Sequence, residues 1–277
     1  MTSFRIDRAP ADHLRKVASI FAVFDRQDSG NVSYGVEWGG ERLFVKTAGS
    51  PELDLPHLSA AQRWALLRNA VRIGETYEHD ALPRLRGVAE SPHGPMLIYD
   101  WVDGELLGAG RDKRDDPASA FSRFRRLPPE RVVAALDSVV EVHDLLGRGG
   151  EVAGDFYDGC LIYDFAAHRI TLVDLDNYRP GPYRNEMGRM FGSARFMAPE
   201  EFAAGEMIDQ RTSVFTLGRA VLVLLGDGTT DREAFRGPAA LWEVAVRACR
   251  PAPADRQRDL AAFGAAWWEA RSRAGQR

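Results

Sequence analysis

The sequence predicts an α+β fold in which a sheet-rich part precedes a mostly helical part. Residues 20–47 alternate in polarity and are rich in β-branched and aromatic side chains, a pattern typical of strands. From Asp116 onward the apolar residues recur at helical spacing. A length of 277 residues fits either one large domain or two lobes. We place the boundary before the stretch Asp-Gly-Glu at residues 103–105, so the predicted parts are 1–102 and 103–277.

Strands and one main helix are predicted for the first part. Apolar residues at helical spacing, with Ser59 as the N-cap, predict that helix at residues 59–77. The predicted strands are bounded by turn residues such as Gly39-Gly40. They comprise three antiparallel strands within residues 20–47, with a first turn at 26–31, and two further strands at 84–88 and 95–101.

The second part is predicted to be helical except for one hairpin. The helices cover residues 132–146, which Pro128-Pro129 precede, and residues 212–225, 239–249 and 259–272. Between the first two lies a loop aspartate, a short apolar stretch, a turn, a second apolar stretch and another aspartate. Because a hairpin returns its ends to one edge, we expect Asp155 and Asp174 to be neighbours.

Composition excludes several classes of partner. The net charge is −4 and no basic stripe is visible, so we expect neither a nucleic-acid nor an anionic-membrane surface. The longest apolar run, near residues 220–225, is too short to cross a bilayer, and the first residues lack the apolar stretch of a signal peptide. The two cysteines, Cys160 and Cys249, have no metal-type spacing and are expected to be free thiols. We expect a cytoplasmic protein.

The predicted hairpin carries the most informative chemistry. A carboxylate that receives a hydroxyl proton, beside one that holds magnesium, is the arrangement used to transfer a phosphoryl group. Lys46 ends an apolar strand in a chain with thirty-three arginines and only three lysines, which favours a position that needs a compact ammonium, for example at phosphate oxygens. In the preceding turn, Gly30 permits close approach of the backbone to phosphates and Ser29 adds a hydroxyl. An edge-strand lysine and a plain hairpin turn remain the alternatives.

The order of these features resembles the protein-kinase-like superfamily, which includes eukaryotic-like Ser/Thr kinases and aminoglycoside-type antibiotic phosphotransferases. The resemblance includes the turn glycine, the strand lysine, the two aspartates and the later Met-Ala-Pro-Glu at residues 197–200, and covers about residues 18–270. It implies a bilobal fold, with a β-rich, nucleotide-binding N-lobe that has one main helix, and a mostly helical C-lobe with the catalytic loop and the acceptor site. It also implies ATP or GTP, with Mg²⁺, as cofactors.

The resemblance assigns roles to individual positions. Asp155 matches the catalytic base, and Asp174 matches the metal-binding aspartate. Glu200 is expected to form a buried structural pair with Arg256. The expected nucleotide contacts are Lys46 at the α- and β-phosphates, Ser29, Gly30 and Val32 in the phosphate loop, Asp100 to Val102 at the base, and Glu105 near the ribose.

The catalytic loop departs from the family pattern at two places. Ala-Gly precedes Asp155 where His-Arg or His-Gly is usual; loss of the arginine removes the anchor for a phosphorylated loop, and Gly154 is typical of small-molecule kinases. Cys160 stands where the family has a metal-binding asparagine, and a thiol is a poor magnesium ligand. Either one metal suffices, or Asp176 supplies the missing oxygen; Asp158 is a weaker substitute.

Two helices also depart from the pattern. The helix that normally offers a glutamate to the strand lysine has Ala70 or Val71 at that place, and Glu75 would serve only if the register shifts. Ser213 replaces the structural aspartate of the helix at 212–225.

The leading hypothesis is a small-molecule O-phosphotransferase that moves the γ-phosphoryl of ATP or GTP to a hydroxyl of an antibiotic, including nucleoside antibiotics of the capuramycin type. Gly154, the missing arginine and the Asp-Leu-Asp motif at residues 174–176 favour it. A Ser/Thr protein kinase is the alternative, favoured by Met-Ala-Pro-Glu. A pseudokinase binding module is the second alternative, favoured by Cys160 and the missing helix glutamate.

Overall fold

The computed structural model describes residues 2–25, 27, 29–50, 58–108, 110 and 114–274. The chain is a mixed α+β protein in which most strands come first and most helices later, as predicted. Two compact units comprise Met1–Val102 and Asp103–Arg277.

A six-stranded sheet dominates the first unit. Its strands are β1 (Thr2–Arg5), β2 (Ser19–Phe24), β3 (Val32–Trp38), β4 (Glu41–Thr47), β5 (Leu85–Ser91) and β6 (Gly94–Asp100). Their order in the sheet is β1-β5-β6-β4-β3-β2, and only the β1–β5 pair is parallel. Gly39 and Gly40 join β3 to β4 with φ angles of 63° and 84°. Positive φ at both central residues is the requirement of a tight two-residue hairpin turn, which explains the two glycines.

Helices cover both faces of this sheet. On one face, Leu14 of α1 (Pro10–Val17) joins Val36, Val45 and Ile98 in an apolar cluster. On the other face, α2 (Ala60–Thr76) packs through Leu67 and Ala70 against strand residues including Leu97. The α2 helix is the predicted main helix; α1 and β1 were not predicted.

The start of α2 is fixed by side-chain hydrogen bonds. Ser59 accepts a hydrogen bond from the Gln62 backbone, and the Gln62 side chain accepts one from the Ser59 backbone, so the predicted N-cap is confirmed. Arg63 is fully buried and donates to the carbonyl groups of Ala48, Ser50 and Leu58. These bonds fasten the first turn of α2 to the chain that follows β4.

The described part of the second unit contains five α-helices. They are α3 (Ala120–Arg125), α4 (Pro129–Arg148), α5 (Gln210–Leu225), α6 (Ala239–Ala248) and α7 (Leu260–Ala274). All but three of the 16 residues of α5 are buried, so it is the central helix of the unit. Trp267 of α7 is buried and donates to Asp137 of α4. Within the described ranges, no helix combines the length and the apolar character needed to cross a membrane.

The second unit also contains seven short strands in its described residues. They are β7 (Glu105–Leu106), β8 (Glu151–Val152), β9 (Leu161–Asp164), β10 (Arg169–Leu172), β11 (Arg179–Pro180), β12 (Tyr183–Arg184) and β13 (Met207–Ile208). The predicted hairpin is β9–β10, which is antiparallel with Leu161 opposite Leu172. It forms a three-stranded sheet with β7, while β8 pairs with β11 and β12 with β13.

Candidate active site

Two aspartates at the ends of the β9–β10 hairpin have an unusual backbone. Asp155 precedes β9 with a φ of 59°, and Asp174 follows β10 with a φ of 64°. Among the described non-glycine residues, only His168 also has a positive φ. This left-handed conformation costs free energy for residues with a Cβ and is concentrated at functional sites. The two ends of the hairpin are therefore the first candidates for a reactive site.

Cys160 connects the two aspartate-bearing segments. Its thiol donates a hydrogen bond to the Asp155 carbonyl, with an S–O distance of 3.2 Å. Its own carbonyl accepts from the backbone of Val173, the residue before Asp174, at 2.8 Å. Cys160 is 1% exposed, so both bonds are shielded from water. A donating thiol carries its proton, and the structure therefore favours a positioning role for Cys160 over metal ligation.

The carboxylates of Asp155 and Asp174 both raise the pKa values of the same two tyrosines. Burial raises the pKa of Tyr157 above its ordinary value, and the nearby Cys160, Asp155, Asp174 and Asp158 raise it further. Burial likewise raises the pKa of Tyr178, with additional contributions from Cys160, Asp155 and Asp174. Asp155 and Asp174 thus lie in one region of the second unit, and both phenols stay protonated at neutral pH.

A buried histidine contacts the side chains of this region. His143 of α4 is 1% exposed, and burial lowers its pKa to about 4. One ring nitrogen bonds the Val139 carbonyl and the other bonds the Tyr178 hydroxyl, while the ring packs against Phe156. His143 is therefore neutral at physiological pH, and its contacts are those of a packing residue.

The residues just before Asp155 are held by α5 and by a tight backbone contact. The Ala153 N–H donates to the Ser213 hydroxyl at 2.8 Å, and Ser213 is 1% exposed. A Cβ on Gly154 would collide with the Asn177 carbonyl. Gly154 therefore has a local steric cause, in addition to the substrate preference that the sequence pattern suggested.

The carboxylate oxygens of Asp174 suit magnesium better than the thiol of Cys160 does. Asp174 is exposed, and it begins the short 3-10 turn Leu175–Asn177, in which Asp176 is buried. In the part of the chain that the structure describes, no three His, Cys, Asp or Glu side chains are grouped to hold a metal ion. Magnesium is usually held by one or two carboxylates together with water and substrate phosphates, so Asp174 with Asp176 fits the habit of this ion. Asp158 does not, because its buried carboxylate forms an ion pair with the partly exposed Arg195 at 2.8 Å.

The predicted phosphate-binding residues of the first unit lie around β3 and β4. Lys46 is 6% exposed and sits in register between Ser33 of β3 and Leu97 of β6. The Ser29 hydroxyl accepts from the Asn31 backbone, Gly30 has a φ of 73°, and Val32 begins β3. Positions 26 and 28 of the predicted turn lie outside the described residues.

The predicted base and ribose contacts are distributed over both units. Asp100 ends β6 and pairs with Arg86 at 3.2 Å; Val102 is half-buried outside regular secondary structure. Glu105, in β7 of the second unit, is exposed, and both its carboxylate oxygens accept from Arg123 at 2.8 Å. A nucleotide would therefore have to compete with Arg123 for Glu105.

The face of α2 that packs on the sheet is apolar at the place of the family's glutamate. Ala70 is buried in the cluster with Leu67 and Leu97, the residue opposite Lys46. Glu75, the single glutamate of α2, is exposed near the end of the helix. The register shift that would turn Glu75 toward the sheet is absent from this helix.

Glu200 and Arg256 form the expected buried pair. Two guanidinium nitrogens of Arg256 donate to the two carboxylate oxygens of Glu200 at 2.6 and 2.9 Å, and Thr212 of α5 donates to one of the same oxygens. The neighbouring Glu201 is also buried, and burial raises its pKa to about 7, although the Ala198 N–H donates to its carboxylate. The end of the segment before α5 is thus fixed by buried carboxylates.

Sequence reasoning missed several contacts of this region. The Asp158–Arg195 pair joins residues 37 positions apart, so no local spacing predicts it. Phe24 and Phe44 make an aromatic contact with ring centroids 6.0 Å apart in the first unit. Phe44 precedes Lys46 by two positions and hence shares its face of β4, a relation that strand alternation would have predicted.

Comparison with known proteins adds no assignment, because no protein-family model matches the chain and no curated protein is significantly similar to it. The function is therefore argued from the residues and their geometry.

Proposed function

We propose that this protein is a small-molecule O-phosphotransferase with a bilobal protein-kinase-like fold, which transfers the γ-phosphoryl group of ATP or GTP to a hydroxyl of its acceptor, as antibiotic-inactivating kinases do. One observation carries the proposal: Asp155 and Asp174, both in the left-handed conformation, stand at the two ends of one hairpin and are connected through Cys160. A base and a metal-binding carboxylate in one region are what phosphoryl transfer requires.

Each residue has a defined task in the proposed mechanism. Asp155 accepts a hydrogen bond from the acceptor hydroxyl and takes its proton as the hydroxyl oxygen bonds to the γ-phosphorus and the nucleoside diphosphate leaves. Lys46 places its ammonium at phosphate oxygens. Asp174, with Asp176, would hold magnesium, which when bound neutralises charge on the β- and γ-phosphates. Rate enhancement then comes from positioning and from preorganised charge.

Two features favour a small acceptor and constitutive activity. The tight contact between Gly154 and the Asn177 backbone leaves no room for the arginine that anchors a phosphorylated loop in protein kinases. The loop is instead held by the neutral side chains of Cys160 and Ser213. We expect the purified protein to be active without prior phosphorylation.

Three matched variants test the proposal. Asp155→Asn should keep nucleotide affinity within about two-fold while turnover falls by two or more orders of magnitude, because the amide cannot take the proton. Asp174→Ala should lose the magnesium-dependent part of nucleotide binding. Asp164→Asn is the control, because Asp164 ends β9 of the same hairpin and its side chain accepts hydrogen bonds from the backbone of residues 166 and 167. Calorimetry measures affinity, and mass spectrometry of reactions with ATP or GTP and a panel of hydroxyl compounds measures transfer.

The outcomes separate the alternatives. Undiminished turnover in Asp155→Asn would remove Asp155 from the role of base, and retained magnesium-dependent binding in Asp174→Ala would remove Asp174 from the metal site. Nucleotide binding without any turnover by the wild-type protein would favour the pseudokinase.

A Ser/Thr protein kinase is the second candidate, and the buried Glu200–Arg256 pair favours it. That pair anchors the Met-Ala-Pro-Glu segment, which antibiotic kinases usually lack. A protein kinase would phosphorylate itself on Ser or Thr when incubated with nucleotide and magnesium. Intact-mass measurement decides, because a phosphate on the small molecule with none on the protein excludes this candidate.

A further inference from the structure

The segment between the metal-site turn and the Met-Ala-Pro-Glu motif is basic. Residues 177–194 carry three exposed arginines, Arg179, Arg184 and Arg189, and a single acidic side chain, Glu186. In the chain as a whole, acidic residues outnumber basic ones, 40 to 36. The positive surplus of this segment is therefore local.

None of these three arginines has a carboxylate of the described chain as its partner. Elsewhere, some exposed arginines pair with carboxylates, as Arg15 does with Asp12, whereas others donate to backbone carbonyls, as Arg126 does to that of Pro117. Within the described residues, Arg179, Arg184 and Arg189 have no carboxylate oxygen within 4.0 Å. Their partners are the Tyr183 ring for Arg179, the Gly205 carbonyl for Arg184 and the Gly192 carbonyl for Arg189. The guanidinium groups of all three are therefore free of ion pairs with the described residues.

Arg189 is the arginine of this group that the structure connects to the proposed base. Its guanidinium donates to the Gly192 carbonyl at 3.2 Å. A methyl group built on Gly192 would lie 3.5 Å from Oδ1 of Asp155. With ordinary covalent bond lengths, these two contacts place the Arg189 guanidinium within roughly 11 Å of that oxygen. A molecule the size of a sugar phosphate or a nucleotide spans such a distance.

We infer that the acceptor carries an anionic group, a phosphate, sulfate or carboxylate, and that Arg189 binds this group while the acceptor hydroxyl meets Asp155. The inference rests on the proposed function and specifies its substrate class. A guanidinium presents parallel N–H donors that match such oxyanions. It also offsets the repulsion that an anionic acceptor would meet from Asp155, Asp174 and the nucleotide phosphates. A polycationic acceptor would instead be repelled by the three arginines.

The first test measures anion binding without turnover. Inorganic sulfate is titrated by calorimetry into the wild-type protein, Arg189→Gln and the control Arg148→Gln, each saturated with magnesium and ADP to fill the nucleotide site. Arg148 is the matched control because it is an exposed arginine with an ordinary surface ion pair. We expect about a ten-fold or greater loss of sulfate affinity in Arg189→Gln and none in Arg148→Gln. Equal affinity in all three proteins, or an equal loss in both variants, would overturn the inference.

The second test measures transfer to paired acceptors. Uridine is compared with uridine 5′-monophosphate, and glucose with glucose 6-phosphate, and kanamycin serves as the polycation. The inference expects phosphoryl transfer only to anionic members, with KM raised about ten-fold or more in Arg189→Gln and kcat nearly unchanged. Transfer to a neutral or cationic member that is equally fast in Arg189→Gln would overturn it and leave the proposed function intact. If nucleotide hydrolysis by wild type equals that of Asp155→Asn, the proposed function fails, and the sulfate result alone then decides the anion site.

Discussion

Replacing Arg256 by methionine should destabilise the second unit more than any other single loss of charge considered in this protein. Arg256 is 2% exposed and its guanidinium also lies 4.8 Å above the Phe215 ring. All five of its N–H donors have acceptors, namely both carboxylate oxygens of Glu200 and the carbonyl groups of Arg211, Arg250 and Pro251. Methionine preserves much of the length and the apolar stem of the side chain but makes none of these bonds.

The magnitude follows from what the substitution leaves behind. Glu200 is 5% exposed, so its charge would remain buried with one hydrogen bond, from Thr212. Breaking one side of a buried ion pair costs about 3–5 kcal/mol, and we expect the lower half of that range because the Thr212 bond survives. With a urea m-value of about 2 kcal/mol per molar, the unfolding midpoint should fall by roughly 1.5–2 M.

Urea unfolding followed by far-UV circular dichroism measures this change, since most helical residues belong to the second unit. Arg148→Met is the matched control, because the Arg148–Asp144 pair is exposed and worth no more than about 0.5 kcal/mol. The double variant Glu200→Gln/Arg256→Met should be more stable than Arg256→Met alone, since it removes the unpaired charge. A loss below about 1 kcal/mol in Arg256→Met, or a double variant less stable than the single one, would refute this reasoning.

Two further predictions concern the loop around the proposed base, and a third concerns Glu201 in the segment before α5. Cys160→Ala should lower kcat about ten-fold or more with an unchanged magnesium requirement, because the Asp155 carbonyl loses its donor, whereas Cys160→Ser should retain most of the activity. Ser213→Ala should cost about 1–3 kcal/mol in urea unfolding, because the buried Ala153 N–H loses its acceptor. The pKa of Glu201 in the folded protein, about 7, lies above its ordinary value of 4.5. The free energy of unfolding of the wild-type protein should therefore fall as the pH rises from 4.5 to 7. Glu201→Gln removes the titrating group and should make this decline smaller.

Each of these predictions has a contradicting result. A higher magnesium requirement in Cys160→Ala would make the thiol a metal ligand. A loss in Ser213→Ala no larger than in Ser272→Ala, where the exposed hydroxyl only donates to the Trp268 carbonyl, would show that the Ala153 bond is dispensable. Wild-type stability that is independent of pH in the stated window would contradict the account of Glu201.

Local patterns predicted those elements whose stabilising contacts are near in sequence. The Gly39-Gly40 turn, the Ser59 cap and the alternation of β3 and β4 are each decided within a few residues. By contrast, β1 has one large apolar residue, Phe4, and forms only because it pairs in parallel with residues 87–90. The short α1 helix likewise depends on burying Leu14 against the sheet. Neither stabilising contact leaves a periodic signal in the sequence.

The same division applies to the candidate site. Side-chain type and order were enough to select Asp155, Asp174 and Lys46 as candidates. Lysine is scarce in this chain, and the two aspartates flank one predicted hairpin. The bond from Ala153 to Ser213 spans 60 positions, and only the folded chain shows it. The role of Cys160 was not predicted either. The sequence pattern places it where a metal ligand is expected, whereas in the structure its thiol donates to the backbone.

The two substitutions that make this site atypical act in the same direction. Ser213 stands where the resembled family has a structural aspartate, and its hydroxyl accepts the N–H of Ala153, two residues before Asp155. Cys160 stands where the resembled family has a metal-binding asparagine, and its thiol donates to the Asp155 carbonyl. Both side chains thus support the backbone of the loop, although one negative charge and one ligand for a second cation of the family pattern are missing. Under the proposed function, a site with fewer fixed negative charges, together with Arg189, would repel an anionic acceptor less than the family pattern would, and would attract a polycation less. The departures from the pattern and the basic segment therefore favour the same class of acceptor.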